Sequence, residues 1–268
     1  VDLFQYASGQ NSGARGVAGD LSGNIFVFGQ ASDASGIAHW LVRKSTTGDP
    51  GTWTTVDDVS SAVARNMMFV PAAGLFTVGI TSASKTQGEG WMVRRSLDGG
   101  ASWTTVDLYK LPKVSGFWQT AAALGVSGDG QGRIYVVGGI KTVNGSGSVA
   151  NLVGKWLVRA SSDGGATWTN IDTFSYVAGR ESSAWGAGKD ALGNIVVVGR
   201  GTDAQGVPHW IVRRPNLQGA WQTVDDFQLV SGESANAFGV VTDAVGDLLV
   251  SGYGTDAKGV SHWIVRRF

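Results

Sequence analysis

Glutamate is scarce in this chain, occurring only at Glu89, Glu181 and Glu233. Two carboxylates flanking a glycosidic bond can serve as acid with base or nucleophile, so Glu181 and Glu233, both in serine- and glycine-rich segments, are the candidate catalytic partners. The competing reading is two solvated loop carboxylates, the common state of acidic side chains. The histidines follow another pattern: His39, His209 and His262 each close the sequence Asp-x-x-x-x-x-His-Trp, begun by Asp33, Asp203 and Asp256. Residues spread this way over separate segments do not converge on one ion, and neither a metal nor a cofactor is expected. Cysteine is absent, which removes thiolate nucleophiles, thiolate metal sites and disulfides together. A phosphate-cradling glycine loop, a nucleophile elbow and a zinc-peptidase helix are missing as well.

Binding chemistry has more to work with. Sugars stack on aromatic rings and are oriented by a few polar groups, and Trp118 and Trp185 stand apart from the other tryptophans, which recur periodically. The candidate ligand-binding residues are therefore Trp118, Arg180, Glu181, Trp185, Glu233 and Asn236, with Asp203, His209, Asp256 and His262 from the repeated histidine pattern. Repeated weak sites of that kind gain by multivalency. Glycans or a protein surface are the expected partners. With 21 basic and 21 acidic residues, no summed field draws in nucleic acid or an anionic membrane. No apolar run approaches the length that spans a bilayer. A monomer is expected, and a secreted or periplasmic location is slightly favoured although no signal peptide is visible.

The elements that carry these residues are set by repetition. His39-Trp40-Leu41-Val42-Arg43 recurs as Trp91-Met92-Val93-Arg94, Trp156-Leu157-Val158-Arg159, His209-Trp210-Ile211-Val212-Arg213 and His262-Trp263-Ile264-Val265-Arg266. Trp53, Trp103, Trp168 and Trp221 follow the first four of these and open segments such as Trp53-Thr54-Thr55-Val56-Asp57. Each pair is preceded by a β-branched or aliphatic run ending in glycine, as in Ile195-Val196-Val197-Val198-Gly199, and before it by a small, glycine-centred strand carrying Gly16, Gly125, Gly186 or Gly239. Runs of the first kind read as strands buried on both faces; the second kind suits a crowded innermost position.

Four short strands joined by tight turns make a twisted antiparallel sheet that cannot cover both of its faces alone, and radial stacking solves this. The fold expected is all-β, a five-bladed β-propeller in one domain over 1–268, with units of approximately 1–55, 56–105, 106–170, 171–223 and 224–268 plus 1–6. The last unit stops after its third strand, and Val1-Asp2-Leu3-Phe4 matches Val224-Asp225-Asp226-Phe227, so the N-terminal strand is expected to pair with 262–268 and close the ring. Within each blade the repeated arginines are expected to pair across strands with Asp57, Asp107, Asp172 and Asp225. The connections holding Glu181 and Glu233 then fall at the funnel mouth.

Ser96-Leu97-Asp98-Gly99-Gly100-Ala101-Ser102-Trp103 and Ser161-Ser162-Asp163-Gly164-Gly165-Ala166-Thr167-Trp168 resemble the Asp-box, or BNR, repeat of sialidase-like propellers. The resemblance implies that Asp98 and Asp163 cap backbone N–H groups of a tight hairpin while the tryptophan packs between blades, on the face opposite the active site. It imports no activity. A sialic-acid site of three arginines would have to be drawn from Arg15, Arg65, Arg133, Arg180 and Arg200, since the other strand-end arginines repeat with the scaffold. The first function read from the chain is a non-catalytic, lectin-like or scaffold propeller; the alternatives are a glycoside hydrolase using Glu181 and Glu233, and a protein-interaction or engineered repeat scaffold without a ligand. The unequal insertions, such as Lys141–Lys155, favour a natural origin over an engineered one.

Overall fold

The computed structural model describes residues 2–82, 88–112, 117–129, 131–144 and 153–268, the side chains of Phe117, Trp118, Val143, Asn144 and Val153 lying outside that set. Five separate antiparallel sheets follow one another along the chain. The first holds β1 (Ser12–Gly19), β2 (Ile25–Ser32), β3 (Ala38–Ser45) and β4 (Thr54–Ser60). The second holds β5 (Ala62–Val70), β6 (Gly74–Thr81), β7 (Gly90–Ser96) and β8 (Thr104–Tyr109). The third holds β9 (Phe117–Gly128), β10 (Ile134–Asn144), β11 (Val153–Ser161) and β12 (Thr169–Phe174). The fourth holds β13 (Ser182–Lys189), β14 (Ile195–Thr202), β15 (Pro208–Pro215) and β16 (Trp221–Phe227). The fifth has three strands, β17 (Ala235–Thr242), β18 (Leu248–Thr255) and β19 (Ser261–Arg267). The unit boundaries expected from the sequence at 55/56, 105/106, 170/171 and 223/224 therefore fall inside the fourth strands.

The first strands β1, β5, β9, β13 and β17 pack successively against one another, which puts them at the centre and the fourth strands outside. Core layers lie between sheets. Phe26, Trp40 and Val42 of the first sheet pack on Ala62, Ala64 and Leu75 of the second, and the same arrangement recurs at the next junctions. Trp40, Trp91, Trp156 and Trp210 are fully buried. Each drives its ring edge against a second-strand glycine of the following sheet: a Cβ added at Gly79, Gly138, Gly199 or Gly252 would stand 2.6, 3.1, 2.9 or 2.6 Å from the tryptophan Cζ3. Only a residue without a side chain admits that approach.

The arginine–aspartate pairs depart from the sequence reading, because they join neighbouring sheets. Arg94 pairs with Asp57, Arg159 with Asp107, Arg213 with Asp172 and Arg266 with Asp225, each arginine lying on the third strand of one sheet and each aspartate on the fourth strand of the sheet before. A fourth strand that leans over the next sheet's third strand brings these groups together, whereas the within-sheet partner of Val212, not Arg213, is Asp225.

Among the described residues, 2–6 form no ladder with the expected partner β19, and the fifth sheet has three strands. The segment instead lies on the first sheet, where Asp2 accepts from Arg43 Nη1 at 2.7 Å, Arg43 sits 4.2 Å over the Phe4 ring and Tyr6 donates to Asp58 at 2.7 Å. Those are the contacts that Asp172, Phe174 and Tyr176 make with Arg213 and Asp226 at the junction of the third and fourth sheets. Meanwhile the face of the fifth sheet that repeats the buried face of the others stays open, with Trp263 85%, Val241 61% and Val265 57% exposed.

The hairpin turns share one device. Asp98 Oδ1 accepts from the Ser96 hydroxyl and the Ser102 N–H while Oδ2 accepts from the Ser102 hydroxyl, and Asp163 does the same with Ser161 and Thr167. Those hydrogen bonds hold both carboxyls well below the ordinary carboxylate range. Asp20, Asp33, Asp190, Asp203, Asp243 and Asp256 cap their own turns likewise, each accepting from the backbone N–H two residues on, four residues on, or both.

Candidate functional site

All five innermost strands bulge at the same step. The ladder slips between Ala14 and Gly16, Ala64 and Asn66, Ala123 and Gly125, Ala184 and Gly186, and Ala237 and Gly239. The extra residues are Arg15, Arg65, Leu124, Trp185 and Phe238. A bulge leaves its residue outside the regular alternation and re-aims its side chain. Here the flanking positions repeat as alanine before and, except for Asn66, glycine after, while the bulged position changes in kind from sheet to sheet.

Two of these residues meet across a junction. The Trp185 and Phe238 rings stand edge-on at 5.9 Å, and Phe238 lies 5.9 Å from Tyr253 of β18, so three aromatic rings form a continuous wall. Trp185 and Phe238 line a cavity of about 480 Å³ that also takes in Asn66 and Val126 and extends over Val241, Leu249 and Val265 on the open face of the fifth sheet. Phe238 is 46% exposed, and the buried Trp185 Nε1 has no hydrogen-bond partner among the described residues. On the first two sheets the bulge supplies guanidinium groups. Arg15 Nη2 reaches Gln30 Oε1 at 3.3 Å, and Arg65 is pushed down from its ordinary pKa by burial and then by the charge of Arg15, with Glu89 opposing.

Glu181 does not stand ready as an acid. Lys141 of β10 contacts its Oε1, and Arg200 Nη2 lies 2.9 Å from its Oε2. Burial pushes the carboxyl up, but the two cations outweigh it and the net direction is down. The group is thus an ionised strut between the third and fourth sheets. Glu233 is a half-exposed residue of the turn before β17, its N–H bonded to Val230 O. The two glutamates do not occupy equivalent places: the backbone carbonyl that receives the second-strand amide belongs to Glu181 in the fourth sheet and to Ser234 in the fifth.

The histidine pattern forms clasps at the outer strands. His209 presents Nδ1 to Asp226 at 2.7 Å and Nε2 to Asp203 at 3.5 Å, while Tyr176, just past the end of β12, donates to Asp226 at 2.6 Å and lies over the imidazole. Burial, then the bond to Asp226, pushes Tyr176 up to about 12. His39 repeats the arrangement with Asp58, Asp33 and Tyr6, and the bond to Asp58 raises its pKa. At His39 the carboxylates at both nitrogens favour the protonated ring. Among the described residues His262 has Asp256 as its one carboxylate partner, at 2.8 Å. In the sequence match of Val1-Asp2-Leu3-Phe4 to Val224-Asp225-Asp226-Phe227, Leu3 corresponds to the clasp aspartate Asp226.

The residues expected from sequence therefore separate into groups. Trp185 reaches the axis and Glu181 an inter-sheet strut. Asn236, on β17 beside the bulge, is 3% exposed with its Oδ1 unpartnered. Arg180 donates to Ala204 O at 2.5 Å, at the outer turn. Asp203 with His209, and Asp256 with His262, are engaged with each other. Trp118 lies in β9, its side chain outside the described residues. Phe238 and Tyr253 were missed, and Arg15 and Arg65 entered only as arginines outside the repeat. A usable signal was present: the residue before the inner-strand glycine is the one that fails to repeat. Among the described residues no cluster of histidine and carboxylate groups could hold a metal ion, and no helix is long and apolar enough to cross a membrane.

No family model matches the sequence, and no curated protein does. Solved structures do resemble it. A protein of unknown function from Dyadobacter fermentans superposes with a TM-score of 0.54 at 14% identity, over 94% of this chain and 78% of that one. An α-L-arabinofuranosidase from Fusarium graminearum in complex with an iminosugar inhibitor gives 0.51 at 11%, over 100% and 96%. The Penicillium chrysogenum α-L-arabinanase complexed with arabinobiose gives 0.50 at 10%, over 94% and 80%. At these identities the likeness is one of fold, and the fold is a β-propeller.

Proposed function

We propose that this protein is a binding propeller, not a catalyst, whose ligand is a carbohydrate seated at the axis against Trp185, Phe238 and Tyr253. One observation carries the reading: the bulged central position changes in chemistry from sheet to sheet, and two of its five residues, Trp185 and Phe238, stand edge-on beside a cavity that they line. Aromatic faces at a concave centre suit the C–H face of a sugar ring. The hydrolase alternative needs a proton donor near a second carboxylate, and Glu181, held ionised between Lys141 and Arg200, is a poor one. Saturation-transfer NMR with a panel of mono- and oligosaccharides tests the reading. Binding that is lost in Trp185→Ala supports it; silence across the panel, or binding unchanged in that variant, overturns it. Release of reducing sugar by the wild type would replace it with the hydrolase.

The finer reading of the scaffold belongs to the same proposal: five blades, Asp-box-type turns at Asp98 and Asp163, and closure by residues 2–6 beside β19. Supporting closure, the segment already lies on the first sheet in the place that repeat geometry gives to a preceding fourth strand, and the exposed Trp263 repeats the tryptophans that bury against Gly79, Gly138, Gly199 and Gly252. Removing residues 1–6 should lower the melting temperature or promote self-association. An unchanged melt in a monomer would refute closure.

A further inference from the structure

The first and last sheets each keep one uncovered surface, and the two are complementary. On the fifth sheet Trp263 holds the third-strand place of Trp40, Trp91, Trp156 and Trp210, yet it is exposed, with Val241 and Val265 uncovered beside it. On the first sheet Gly29 holds the second-strand place of Gly79, Gly138, Gly199 and Gly252. At those four a tryptophan Cζ3 is among the three atoms nearest to an added Cβ, whereas at Gly29 all three are backbone atoms of Gly13 and Ala14 in its own sheet. A cavity of about 530 Å³ opens there, lined by Gly29, Leu41, Trp53 and, from the N-terminal segment, Phe4. We infer that Trp263 is the key of the ring: its indole seats edge-on against Gly29, beside Phe4, in this cavity, an assignment that rests on the closure reading above.

Three observations support it. Each of the other four tryptophans finds the glycine of the following sheet, which leaves Trp263 and Gly29 as the one unmatched pair of the series. Next, a fourth-strand phenylalanine elsewhere lies between two partners. Phe174 has Trp156 edge-on at 5.9 Å and Arg213 at 4.0 Å, and Phe227 has Trp210 at 6.1 Å and Arg266 at 4.0 Å. Phe4 has its arginine, Arg43, at 4.2 Å; the tryptophan side of its ring is the place that Trp263 takes. Finally, residues 2–6 already hold the fourth-strand place before the first sheet, through Asp2 with Arg43 and Tyr6 with Asp58. The sheet that docks there must therefore bring three strands and a free third-strand edge, and the fifth sheet has that form. Both surfaces belong to one chain, so they meet at an effective concentration of order mM, above that of a second copy in dilute solution. Docking buries Val241 and Val265 of the fifth sheet and Val17 of the first, all more than half exposed. The cavity over Gly29 is thus a socket for the chain's own indole and not a ligand site.

The absence of cysteine makes the joint directly testable. By the repeat, Leu3 falls opposite Ile264 as Asp226 lies opposite Ile211, so Leu3→Cys/Ile264→Cys places the only two thiols across the seam. Mild oxidation should give a disulfide within one chain, read as a faster-migrating monomer on a non-reducing gel. Separately, Trp263→Ala should lower the melting temperature by roughly 6–20 °C, the loss for a buried tryptophan in a chain of this size, and Trp210→Ala by a similar amount. A solvent-exposed tryptophan would instead leave the melt within about 2 °C of wild type. An intrachain disulfide with an unchanged melt in Trp263→Ala overturns the key and leaves closure standing. A disulfide joining two chains assigns the seam to a second copy and overturns both. No disulfide, whatever the melt, also overturns both, because Trp263 then has no N-terminal strand beside it. The disulfide is formed with Trp263 in place, so that arm does not depend on the tryptophan variant folding.

Discussion

Replacing Asp172 by asparagine probes the joint between the third and fourth sheets. Arg213 Nε and Nη2 each donate to Asp172 at 3.0 Å, with 8% and 7% of the two side chains exposed, and the guanidinium lies 4.0 Å over the Phe174 ring. At this separation an effective dielectric of about 20 gives a Coulomb attraction of roughly 5 kcal/mol, and breaking one side of a buried pair costs about 3–5 kcal/mol. Asparagine keeps an acceptor oxygen but not the charge, so about 3 kcal/mol is expected, a fall of roughly 6–9 °C in melting temperature for a chain of this size. The outermost pair is the internal control. Arg266 with Asp225 is 31% and 11% exposed, and Asp225→Asn should cost only about 1 kcal/mol. Thermal and urea unfolding followed by circular dichroism measure both, and a double-mutant cycle assigns the partner. Asp172 should couple to Arg213 and not to Arg159, which pairs with Asp107. Joint replacement of the pair by apolar side chains of similar volume, Asp172→Leu/Arg213→Met, should restore most of the loss. Coupling to Arg159, or equal costs for Asp172→Asn and Asp225→Asn, would refute the inter-sheet assignment and the burial argument respectively.

Three further outcomes follow from the same geometry. Gly199→Ala places a methyl 2.1 Å from Ser183 O and 2.9 Å from Trp156 Cζ3; a loss of at least about 2–3 kcal/mol is expected, and a melt within about 1–2 °C of wild type would mean the junction is looser than described. Asp163→Ala removes the three bonds that hold its turn and should lower the melting temperature while leaving sugar binding intact, so a loss of binding with an unchanged melt contradicts a purely structural role. For His39, the bond to Asp58 raises the folded pKa above the ordinary value of 6.5. The clasp on Tyr6 is then fully in force below about pH 6.5 and lost as pH climbs through the raised folded value. The stability gap between wild type and His39→Gln should be widest below about pH 6.5 and should narrow as pH rises above it; a gap that widens with pH has the wrong sign.

The all-β repeat was legible in the residues because its causes are local. Alternation, β-branched runs and turn-capping aspartates each act over a few positions, so the strands around Trp40, Trp91, Trp156, Trp210 and Trp263 could be placed by comparing copies. The hairpin role of Asp98 and Asp163 was legible for the same reason, since each bonds its own turn. Sequence alone did not reveal which copy of a repeated charge meets which. Asp172 has an arginine within reach in its own unit and another in the next, and the lean of the outer strands over the following sheet decides for Arg213. The site is the extreme case. Arg15, Arg65, Trp185 and Phe238 lie far apart in the chain and carry no shared motif, and only the strand register shows that each occupies the same bulged step of its central strand. Glu181 and Glu233 looked like a pair in one dimension; a one-residue offset in the ladder and two neighbouring cations separate them in three.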